Sequence, residues 1–229
     1  MKRFDMDAGL SAQNNDVEQV FRSFRYIGVH LEDFNLRNNM FLRNPGGSIH
    51  GIGHIYRTMT ACAMLGERLK KPRSGLLAMC GAFIHDLARV NDDIDPEHGS
   101  RAAEMFFHQF EALWNKYELT DKEREFVKQA VQQHSTCEWM QPADEGYDVM
   151  AILKDADALD RCRLGDDGLD PEFLRYSQSR NIIQTIIRYY HDTQGITEDI
   201  TFAEFVKLYG SDYAVTNTCQ KNYEYEVHT

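Results

Sequence analysis

Apolar residues in this chain recur at steps of three and four, and no segment holds a convincing run of alternation. Steps of three and four place side chains on one face of an α-helix, whereas a half-buried strand needs a period of two. Val17, Val20, Phe21, Phe24 and Ile27 mark the first such face. Ala102, Ala103, Phe106, Phe110, Leu113 and Tyr117 mark a long one, and Phe126, Val127, Ala130 and Val131 another. Clusters of β-branched residues are sparse. The pattern predicts an all-α, single-domain helical bundle. With 229 residues, 42% of them hydrophobic, the chain can bury one sizeable core.

Turn and cap signals divide the pattern. Residues 1–15 are small, polar and aperiodic and read as a flexible leader, with the domain spanning 16–229. Asn44 to Gly47 reads as a turn, and Ser48 as the cap of a helix from about Ile49 to Lys70. Lys71, Pro72 and Arg73 break that helix, and an apolar one follows and closes on His85 and Asp86. A long helix is expected from His98 onward. Thr120 and Glu123 form a Thr-x-x-Glu capping box for the next. Further helices are expected over Tyr147–Arg163, over Pro171–His191 with a break near Arg180, and over Thr201–Leu208.

The net charge of −11 argues against a general nucleic-acid binder, which needs a basic face to neutralise phosphates. It leaves room for a small anionic substrate, because a metal and a few arginines reverse the field locally. No apolar stretch reaches the roughly eighteen residues of a membrane span. The N-terminus has no apolar core of a secretory signal. Five cysteines without Cys-x-x-Cys spacing read as free thiols of a cytoplasmic protein.

Against this apolar background several polar residues face inward. His50 and His54 are four residues apart, so one helix face can carry both. His85 and Asp86 close the most apolar helix. His134 continues the face of Ala130 and Val131, and Asp157 follows Leu153 by one helical turn. A buried carboxylate is costly unless paired or metal-bound. Helix bundles build metal sites from such inward side chains on facing helices. Asp155, Asp157 and Asp160 compete for one ligand position. Residues two apart on a helix diverge by about 200°, so Asp155 and Asp157 cannot both face it.

The order His54, His85–Asp86, Asp157 resembles that of the HD-domain metal-dependent phosphohydrolases. His50–His54 is similar to the HGxxH opening of one subgroup. His85–Asp92 with Asp95–Ala103 is similar to its HDxxRxND…DPEHGxRAA segment, and Asp155–Asp160 to its DADRLD motif, with Ala158 departing from the usual Arg. The motif-bearing core covers about 48–163. The resemblance implies a divalent transition metal (Mn, Fe, Co, Ni or Zn), one ion or two, held between core helices by His54, His85, Asp86 and Asp157. It also implies hydrolysis of a phosphoester, a nucleotide or another small phosphorylated metabolite, by metal-activated water. His98, His134 and Arg89 are the catalytic candidates, and Arg89, His50, Asp92 and Arg161 the candidates for holding substrate. Two other readings stand beside it. One is a dinuclear iron oxygenase in which His98 and His134 supply extra nitrogens. The other is a catalytically silent module that binds a nucleotide.

Overall fold

A computed structural model describes residues 6–43, 48–165, 167–197 and 199–209, with side chains from residue 17 onward. Every regular element among these residues is helical, as the periodicity predicts. The α-helices are α1 (Met6–Ile27), α2 (Ile52–Arg68), α3 (Pro72–Ile84), α4 (His98–Met105), α5 (Glu111–Lys116), α6 (Asp121–Gln133), α7 (Tyr147–Leu159), α8 (Ser177–Arg180), α9 (Ile183–Thr193) and α10 (Phe202–Lys207). The turn expected at Asn44–Gly47, the cysteine Cys219 and the last twenty residues lie outside the described residues.

Helix α2 is the axis of the bundle. Every residue from Ile52 to Gly66 is buried, as befits a central helix. Helix α3 runs back along it and is buried from Gly75 to Ile84. The two meet at a glycine pair: a Cβ on Gly66 would lie 2.8 Å from the Cα of Gly75. Helices α6 and α7 close the far side of α3, and α1 packs against α2. The apolar side chains form one continuous core.

Four expectations shift. Helix α1 begins at Met6, eleven residues before Val17 opens the apolar periodicity. Ala8, Leu10, Ala12 and Gln13 favour a helix by propensity without forming a stripe. Helix α2 begins at Ile52, and Ser48 does not cap it; its hydroxyl instead accepts from the His50 amide and donates to Asp92. The long helix expected from His98 breaks into α4, a 3-10 segment at Phe107–Phe110, and α5. Trp114 explains the break, because its indole N–H takes the Phe107 carbonyl at 2.7 Å. Finally, α7 ends at Leu159 and tightens into a 3-10 segment over Asp160–Leu164. The Thr120–Glu123 capping box forms as expected. The four described cysteines are free, with Cys62 and Cys80 buried.

Candidate metal centre

Helix ends deliver the polar residues to one place. His54 comes from the first turn of α2, His85 and Asp86 from the C-terminal end of α3, His134 from that of α6, and Asp157 from the last turn of α7. His98 opens α4, and the close approach of that helix to α6 depends on Gly99. A Cβ there would collide with the Val131 carbonyl and lie 3.0 Å from the His134 ring.

Asp86 is the hub. Its Oδ2 lies 2.9 Å from His50 Nδ1 and 3.3 Å from His54 Nε2. Its Oδ1 lies 3.0 Å from His98 Nε2 and 3.6 Å from His134 Nε2. Asp157 Oδ1 is 3.3 Å from His54 Nε2, and its side chain keeps 26% exposure toward the cleft. Among the described residues, three groups have donor atoms within 4.8 Å of one another: His50, His54 and Asp86; His54, His85 and Asp157; and His85, Asp86 and His134.

The far side of each ring fixes what the near side offers. His85 Nδ1 donates to the Ala82 carbonyl at 2.7 Å, and His134 Nδ1 to the Val131 carbonyl at 2.6 Å. His54 Nδ1 donates to Asp160 at 2.8 Å. In the neutral state all three therefore aim an Nε2 lone pair at the same space, where His54 and His85 Nε2 are only 3.2 Å apart. Lone pairs and carboxylates converging this closely repel unless a cation lies among them, and the fixed outer hydrogen bonds are those that orient metal-binding imidazoles. The donor set fits a divalent transition metal. It lacks thiolate, unlike most structural zinc sites.

Electrostatics agree. Burial opposes charge on every one of these groups. Yet the hydrogen bonds of His54 to Asp157, Asp160 and Asp86 outweigh it and raise that imidazole to about 9. His85, with no such anchoring acid, is driven down to about 3 by burial. Burial raises Asp86 and Asp157, but the surrounding imidazoles win and hold both well below the ordinary carboxylate range. A metal bound by His54 would compete with a proton for its Nε2.

Asp155 and Asp160 act outside the cluster. Asp155 is fully buried and accepts from the Arg175 and Tyr176 amides, the Arg175 guanidinium and the Ser179 hydroxyl. Asp160 orients His54 and is itself held by buried Arg57 at 2.6 Å. Among the three aspartates, Asp157 alone belongs to a donor group.

Above the cluster opens a cleft of about 440 Å³, lined among others by His50, Asp86, Arg89, Asp92, His98, His134, Asp157, Arg161 and Arg163. Arg89 spans its floor, with one guanidinium nitrogen 3.0 Å from His50 Nε2 and the other 2.9 Å from His98 Nδ1. His98 Nδ1 also meets the Asp95 carbonyl, which needs an N–H where Arg89 needs a lone pair. Each tautomer of His98 therefore has a partner, unlike the fixed rings of His85 and His134. Arg161 is tied to the Gly168 carbonyl at 2.9 Å near the surface. Arg163 lies deeper, with its side chain 5% exposed, bonded to the Ile49 carbonyl and 3.3 Å from His50 Nδ1.

Two features escaped the sequence. His50 does not share a helix face with His54, since it precedes α2; it reaches Asp86 from the turn instead. Arg163, more than Arg161, reaches the site, because in the 3-10 segment it eclipses Asp160 three residues earlier. Spacing counted on an α-helix misses both.

The HD-domain family model matches residues 51–162. The chain is an HD-domain protein. The matched segment runs from the start of α2 to the 3-10 segment after α7, so the HD domain contains His54, His85, Asp86, His98, His134 and Asp157, with His50 just outside it. No curated protein and no solved structure matches the chain. HD domains bind divalent metals and are generally metal-dependent phosphohydrolases, in keeping with the His/Asp groups found here. No described helix is long and apolar enough to cross a membrane.

Proposed function

We propose that this protein is a metal-dependent phosphohydrolase acting on a nucleotide or another small phosphorylated metabolite. One observation carries the reading: imidazole lone pairs and carboxylates converge at the floor of a cleft that Arg89 and Arg163 also line. His54, His85, Asp86 and Asp157 are the ligand set. Asp86 turns one oxygen to each side, and His85 with His134 supplies donors on the second side, which supports a second ion. Bound Mn, Fe, Co, Ni or Zn supplies Lewis acidity, acidifying a water and polarising a phosphoryl group.

The remaining residues bind and move protons. Arg89 presents guanidinium N–H groups to phosphoryl oxygens and holds His50 and His98 in place. Arg163 and Arg161 add positive charge on the opposite wall, and Asp92 lines the same space. His98, with a partner for either tautomer, delivers the proton to the leaving oxygen. His134, grouped with His85 and Asp86, would hold the second ion rather than move a proton.

The test is to load the purified protein with Mn, Co or Ni and assay a panel of nucleotides and generic phosphoesters. Turnover is expected in the wild type and absent from Asp86→Ala. Oxygen consumption by the iron-loaded protein, with no phosphoester cleaved, would replace this reading with the dinuclear oxygenase. Bound metal without turnover across the panel would leave a nucleotide-binding module.

A further inference from the structure

The mouth of the cleft is built differently from its floor. Ile94 is 98% exposed, Ile49 43% and Leu164 43%, and all three line the cavity above the metal ligands. They come from three separate segments: the turn before α2, the loop between α3 and α4, and the end of the 3-10 segment after α7. Single exposed aliphatic residues need no explanation, but three converging on one cavity mark a surface that something covers. A side pocket of about 320 Å³ shares His50, Asp86, Arg89 and Asp92 with the cleft and adds Phe41 and Val90, the latter 39% exposed. Both lobes have small-ligand size.

Around Ile94 the cleft wall is anionic, whereas Arg89, Arg161 and Arg163 line other parts of it. Asp92 and Asp93 sit on the same loop as Ile94 and line the cleft, and among the described residues neither carboxylate forms an ion pair with a lysine or arginine, although Arg89 reaches the Asp93 carbonyl. A ligand reaching from Arg89 toward Ile94 therefore meets cationic nitrogen first, then aliphatic carbon flanked by carboxylate. A second phosphoryl group at that height would face two anions.

We infer that the cleft selects a phosphoester with a single phosphoryl group and an apolar, aliphatic or aromatic, remainder, which Ile49, Ile94 and Leu164 clamp. This specificity rests on the proposed phosphohydrolase reading for its anionic end, but the clamp itself is a statement about binding. It excludes polyphosphates and small polyol phosphates as preferred ligands.

The probe pair is benzylphosphonate and 2-hydroxyethylphosphonate, neither of which can be hydrolysed at phosphorus. Their binding to the Mn-loaded full chain is measured by calorimetry. Benzylphosphonate should bind at least about tenfold more tightly, the usual worth of a well-placed apolar contact. In Ile94→Ser and Leu164→Ser, both changes at exposed positions, that ratio should fall toward one. Equal affinities in the wild type, a ratio that the two variants do not move, or no binding of either phosphonate overturns the inference. Phenyl phosphate hydrolysis is followed in parallel. Preferential binding without turnover keeps the clamp and removes the phosphohydrolase reading, whereas turnover without preference removes the clamp alone.

Discussion

At the floor of the cleft His54, His85 and Asp86 are 0–2% exposed, and His54 and His85 are each braced by an outer hydrogen bond; at the mouth Ile94 is 98% exposed and touches solvent. The floor is assembled from helix ends, whose backbone positions are fixed by the packing of α2, α3, α6 and α7. The mouth is assembled from loops and a 3-10 segment. Precision is needed where charges are buried, since an unpaired one there costs several kcal/mol. At the mouth contact is apolar and non-directional, so loops suffice. Changes at the floor should therefore cost both stability and metal affinity, and changes at the mouth neither.

The largest effect should come from Asp160→Asn. It removes the carboxylate between His54 and Arg57 and leaves the Arg57 guanidinium buried without its counter-charge. About 3–5 kcal/mol of stability should be lost, as when one partner of a buried pair is removed. Metal affinity should drop by roughly 10–100-fold, as for other lost outer partners of ligating histidines. Denaturant melts and competition with a metal-binding dye give the two numbers, and unchanged affinity would show that Asp160 does not orient the ligand.

Next comes Gly99→Ala. The added methyl meets the Val131 carbonyl and the His134 ring, forcing α4 away from α6 and separating His98 from His134. Overpacking of this kind costs about 1–3 kcal/mol. A normal melting temperature would mean that the two helices can part freely. Asp155→Asn sharpens the contrast within one helix. It should lower stability through the Arg175 and Ser179 contacts while leaving metal affinity intact, because Asp155 faces away from the donor groups.

The pH dependence follows from His54. Its folded pKa of about 9 lies above the ordinary 6.5, so its protonation stabilises the metal-free fold fully below 6.5. That contribution is lost as pH rises through about 9. Metal competes for the same nitrogen, so affinity should climb over this window. Binding at pH 7 should release about one proton per ion. Calorimetry in two buffers of different ionisation enthalpy measures it, and no buffer dependence would mean that His54 is already neutral. The smallest effect is Ile94→Ser on stability, expected within about 0.5 kcal/mol because the side chain buries nothing. A larger loss would place Ile94 in the fold rather than at the mouth.

The sequence by itself determined the helical class, because the period of the apolar residues admits little else, and it marked His54, His85, Asp86, His134 and Asp157 as inward-facing polar residues. Those positions lie on or immediately after regular helices, where spacing translates directly into direction. It also limited the site-facing aspartates of α7, since Asp155 and Asp157 point apart. Tertiary structure decided the rest. Only packing shows that His50 reaches Asp86 from a turn, that Asp160 holds His54 from behind with Arg57 as its anchor, and that Arg163 lies beside the ligands. Ile49, Ile94 and Leu164 meet at one mouth although 115 positions separate the first from the last. The physical reason is common to all of these. Turns and 3-10 segments have no long-range period, so the direction of their side chains is set by what the neighbouring helices leave open.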